Sequence, residues 1–76
     1  MAGHVVDSDD HTVVGKIGRV TGVIGPGRTG EVMLPVRGGT EAFLAHAAEA
    51  GETLETGARV VVVEHFPPRT VYVSPA

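Results

Sequence analysis

The side chains able to do chemistry are few and scattered in this chain of 76 residues. Cysteine is absent, and serine stands only at Ser8 and Ser74, both in expected tails. A Ser/His/Asp or Cys/His nucleophile inside a fold is therefore excluded. The threonines fall at turn or strand-face positions with no base beside them. Glu49, Glu52 and Glu55 recur every third residue in a polar stretch. Carboxylates that cleave glycosides need a cleft that fixes their separation, so these three read as a solvated face. His4, Asp7, Asp9, Asp10 and His11 are of the types that ligate divalent metals. Nothing around them can orient the rings, and they read as a solvated acidic tail. His46 and His65 stand alone. The row GPGRTG at residues 25–30 lacks the lysine and the following helix of a phosphate-binding loop. Lys16 lies in an opening strand rather than at a hairpin tip, which sets aside a biotinyl- or lipoyl-type carrier. The expectation is no enzyme, no cofactor and no metal.

Charge narrows the partners. Six lysines and arginines face nine carboxylates, for a net charge of −3. Nonspecific nucleic-acid binders show a basic patch or stripe, and this balance works against one. Three aromatics (Phe43, Phe66 and Tyr72) are few for stacking bases. No uninterrupted apolar run exceeds four residues, as in Val60 to Val63, whereas a spanning helix takes about 20. No basic-then-apolar start reads as a signal peptide.

The elements that must position these residues are strands. Valine occurs 14 times and threonine 7, while glycine and proline fill 16 positions. Valine and threonine are stiff at χ1 and suit pleated strands, and glycine and proline punctuate them. Residues 1–12 have no sustained period and predict a disordered leader. A domain is expected over residues 13–74. Its first strand, at 14–24, carries Gly15, Gly18 and Gly22; Ile17 and Val20 share a core only if the strand bulges at Gly18. In the second strand Val32, Leu34 and Val36 alternate inward, and Pro35, without an N–H, marks an edge or a bulge. Arg37-Gly38-Gly39 closes a hairpin to a third strand at 40–46. Residues 45–50 predict a short helical turn or irregular loop. Leu54 plugs the core before a glycine corner, ahead of strands at 59–65 and 70–74. The four-valine run is buried on both faces, or has one wet face. The expected core is Ile17, Val20, Val32, Leu34, Leu54, Val60, Val62, Val71 and Val73. Five short strands, hairpins first, give an all-β, five-stranded OB-like barrel; an SH3-like barrel fits the same pattern.

Several rows, in order, resemble the C-terminal domain of the NfeD-like family. Val14, Gly15, Gly18 and Val20 match its opening element, and Gly30 and Val32 its next strand. Phe43 and Ala45 match the aromatic-x-Ala of the third strand, and Leu54, Gly57, Val60 and Val62 the closing row. The resemblance covers about residues 13–74. It implies a noncatalytic OB-fold module that binds a stomatin/prohibitin/flotillin-type partner. It also implies a cytoplasmic location, or one at the cytoplasmic face of a bacterial membrane reached only through an anchor absent from this chain. The alternative is a nucleic-acid or ribosome-associated OB/SH3-like module using Lys16, Arg19 and Arg28 on one hairpin.

The partner surface is assigned to Phe66, Pro67, Arg69 and Tyr72. An aromatic beside two prolines in a surface connection loses little entropy on binding, and Phe, Tyr and Arg are enriched in interface cores. In the competing arrangement Phe66 folds inward and caps the barrel.

Overall fold

The computed structural model describes residues 13–76, so the leader predicted at residues 1–12 lies outside the described residues. Five strands follow one another: β1 (Ile17–Gly22), β2 (Gly30–Val36), β3 (Gly39–Ala47), β4 (Arg59–Phe66) and β5 (Thr70–Pro75). They close in the order β1-β2-β3-β5-β4, with β3 and β5 parallel and the other pairs antiparallel. This is the OB-like barrel rather than the SH3-like one, because β5 enters between β3 and β4 and β4 returns to β1. No helix occurs among the described residues.

Alternation builds the core. Val32 and Leu34 from β2, Phe43 and Ala45 from β3, Val60 and Val62 from β4, and Val71 and Val73 from β5 are all buried. Val20 and Leu54 join them as expected, and so do Val13 and Ile24, which flank β1. The valine run has one wet face. Val60 and Val62 point inward, and the pairing with β5 slips between Val62 and Glu64, leaving Val63 exposed.

Ile17 departs from the expected core. It is 42% exposed, because β1 runs regularly from Ile17 to Val20 and its bulge falls later, between Val20 and Gly22. With a strict two-residue period, residues three apart face opposite sides. The inward place beside β2 belongs to Gly18, where a Cβ would stand 2.5 Å from Leu34 Cδ2 and 2.6 Å from the Met33 carbonyl oxygen. Gly18 is thus required for close packing of β1 over β2 rather than for a bulge.

Two other expectations shift. Residues 45–47 continue β3 instead of starting a helical turn, since Ala45 completes the inward alternation begun by Phe43; irregular turns occupy 48–51. Pro35 pairs with Thr40 on β3, while the ladder to β1 stops at Met33. A missing N–H ends that ladder without loss of a bond. The long β3–β4 connection is pinned from beneath: Val20 N–H donates to Ala58 O at 2.9 Å, and Gly57 N–H to Val20 O at 2.7 Å.

Candidate partner-binding surface

The pairings of β3, β4 and β5 decide which side chains share the outer face. His46 and Tyr72 are parallel partners, as are Leu44 and Thr70, while Phe66 lies opposite Thr70 across the β4–β5 hairpin. Tyr72 therefore sits between two rings, 5.1 Å from His46 and 5.4 Å from Phe66, centroid to centroid. Phe66 is 49% exposed and Leu44 is 53% exposed. Leu44 was not among the residues assigned from sequence, although the inward pair Phe43 and Ala45 around it already places it outside.

Phe66 does not cap the barrel, because Phe43 fills that position. Phe43 is buried, meets the edge of His65 at 6.0 Å, and lies beneath the Arg69 guanidinium at 5.7 Å. His65 Nε2 donates to Pro68 O at 3.4 Å. Arg69 is occupied along β3: its Nη1 donates to Ala42 O at 3.0 Å and lies 3.3 Å from Glu41 Oε1. Leu44 N–H donates to Arg69 O at 2.8 Å. Of the four assigned residues, Phe66 and Tyr72 touch, Pro67 is exposed beside them, and Arg69 braces the hairpin against β3.

Beyond Tyr72 and His46 the face falls into a groove of about 350 Å³, bounded by the turn at 25–27 and the loop at 49–52. Glu52 Oε1 is buried there without a hydrogen-bond partner. A buried acceptor left unpaired costs free energy that a donor from outside would restore. Among the described residues no three His, Asp or Glu side chains converge as a metal site.

The cations of the nucleic-acid alternative fall before, on and after β1. Lys16 precedes β1, and Arg28 follows it in a turn closed by Arg28 N–H donating to Gly25 O at 2.9 Å. The length of β1 separates them. Among the described residues no helix is long and apolar enough to cross a membrane.

Among curated protein sequences none matches this chain. Among solved structures, the C-terminal domain of stomatin operon partner protein 1510-C from Pyrococcus horikoshii is similar, with a TM-score of 0.64 and 30% sequence identity. That likeness covers 88% of this chain and 92% of the other. The sequence profile of the NfeD C-terminal domain matches residues 17–74, a span that takes in all but the last residue of the closed barrel. The chain belongs to the NfeD C-terminal domain family.

Proposed function

We propose that this domain is a noncatalytic protein-binding module that docks a stomatin-type partner, of the stomatin/prohibitin/flotillin kind, through the face of Phe66, Pro67 and Tyr72, with Arg69 holding the hairpin in place. The observation that carries the reading is an aromatic pair at the surface. Phe66 rests on Tyr72, half exposed, beside two prolines that limit its backbone. Rigid aromatic anchors of this kind supply much of the energy of protein interfaces. The relative's printed name, a stomatin operon partner, supports the choice of partner. The adjoining groove with Glu52 offers a seat for a lysine or arginine from that partner. The noncatalytic reading rests on the side-chain inventory, which holds no cysteine and serines only at 8 and 74. On this reading the domain works at the cytoplasmic face of the membrane that carries the partner.

The test is capture of a purified stomatin-type protein by the domain and by its Phe66→Ala and Tyr72→Ala variants. Val14→Ala, a change at an exposed valine ahead of β1, serves as control. Both aromatic variants should fold and lose at least tenfold in affinity, a typical anchor effect, while the control binds normally. Undiminished capture by a folded Phe66→Ala variant removes this face from the interface.

A further inference from the structure

We propose that the outer face of β1, β2 and β4 is a second docking surface, built for an acidic protein segment that also carries an aliphatic side chain. The inference does not rest on the Phe66 face.

The key observation is a pair of like charges. Arg19 on β1 and Arg59 on β4 are direct antiparallel partners, and both are exposed. Side chains so placed leave the backbone about 5 Å apart and on one face, where like charges repel. Among the described residues neither guanidinium pairs with a carboxylate. Arg19 Nη1 donates to Gly57 O at 3.2 Å, which holds one of the two forks in position. Elsewhere the fold does neutralise an arginine, as Glu41 does for Arg69. In a chain with nine carboxylates against six cations, two adjacent arginines with no carboxylate partner among the described residues leave a local positive spot.

The groove beside them has an apolar floor. Ile17, Met33 and Pro35 line a groove of about 470 Å³ that Arg19 and Arg59 border. Ile17 is the residue whose alternation turns it out of the core, so the fold displays a large β-branched side chain beside two guanidiniums. Guanidinium forks match carboxylates in planar, two-bond geometry, and the floor accepts an aliphatic group. Nucleic acid is a poorer fit, because none of Phe43, Phe66 and Tyr72 lines this groove and bases need a stacking platform.

The experiment is fluorescence anisotropy with the whole chain and a labelled peptide of glutamates, aspartates and two leucines. Its glutamine/asparagine analogue, oligo-dT and phosphatidylglycerol vesicles run alongside. The acidic peptide should bind, weakening as salt rises, and the amide analogue should bind at least tenfold more weakly. Arg59→Gln should weaken peptide binding at least fivefold without lowering the melting temperature, because it relieves a repulsion rather than breaking a contact. Phe66→Ala should leave peptide binding unchanged. The proposal is overturned if Arg59→Gln binds like the parent or if the amide analogue binds equally well. It is equally overturned if oligo-dT or the vesicles bind through Arg59 while the acidic peptide does not.

Discussion

Ile24 and Leu54 form a two-way main-chain bridge: Ile24 N–H donates to Leu54 O at 3.0 Å, and Leu54 N–H to Ile24 O at 2.8 Å. Both side chains are buried. The bridge ties the segment after β1 to the long β3–β4 connection, two stretches with no strand of their own. It gives that connection a fixed floor, and the groove beside Tyr72 is built on the same connection.

Leu54→Ala should therefore be costly, by about 2–5 kcal/mol for a buried leucine. In a domain this small that is a large share of the total stability. Urea or thermal unfolding of the variant checks it. A midpoint close to the parent's would mean that the connection contributes little to the core.

Gly30 and Gly39 lie at the two ends of the β2–β3 hairpin and should respond oppositely to alanine. A Cβ at Gly30 would run into the carbonyl oxygens of Gly22 and Val23 and into Ile24 Cγ1. Overpacking of this kind costs about 1–3 kcal/mol or more. At Gly39 a Cβ meets nothing within 4 Å, and no positive φ demands glycine there. Gly39→Ala should fall within about 0.5 kcal/mol of the parent, as surface changes do. Equal losses at the two sites would contradict the packing described at Gly30.

Arg69→Ala should destabilise the domain by about 1 kcal/mol, and Glu41→Gln by less. The Arg69–Glu41 pair is exposed on both sides, at 55% and 47%, so solvent and salt screen it and its own share is about 0–1 kcal/mol. The remainder comes from the guanidinium over Phe43 and its bond to Ala42 O. Raising salt should erase the Glu41→Gln difference and leave most of the Arg69→Ala difference in urea unfolding. If salt erased both, the stacking on Phe43 would be of no consequence.

The two-residue period made most of the barrel legible. Val32 and Leu34, Val60 and Val62, and Val71 and Val73 face inward as their alternation requires. Ile17 was misplaced because its distance from Val20 demands a bulge, and nothing local says whether the bulge precedes or follows Val20. Phe43, Ala45, Val13 and Ile24 are core residues outside the expected set: the first two alternate inward within the third strand at 40–46, and the last two lie beyond the ends of β1. At the surface, the contact of Phe66 with Tyr72 follows from a hairpin and was within reach. The meeting of Arg19 with Arg59 was not, since it depends on how distant strands come into register when the barrel closes.

That closure also limits how this molecule can be recognised. With β4 returning to β1 and β5 wedged between β3 and β4, each strand has a neighbour on both sides, and the stretches left open are short, such as β3 ahead of Leu44. Many protein modules bind extended peptides by strand addition, in which backbone groups supply affinity whatever the sequence. The same open strands make proteins prone to edge-to-edge aggregation. Closure leaves little room for either. Among the described residues recognition of a partner falls mainly to side chains, so single substitutions on the partner should weigh heavily.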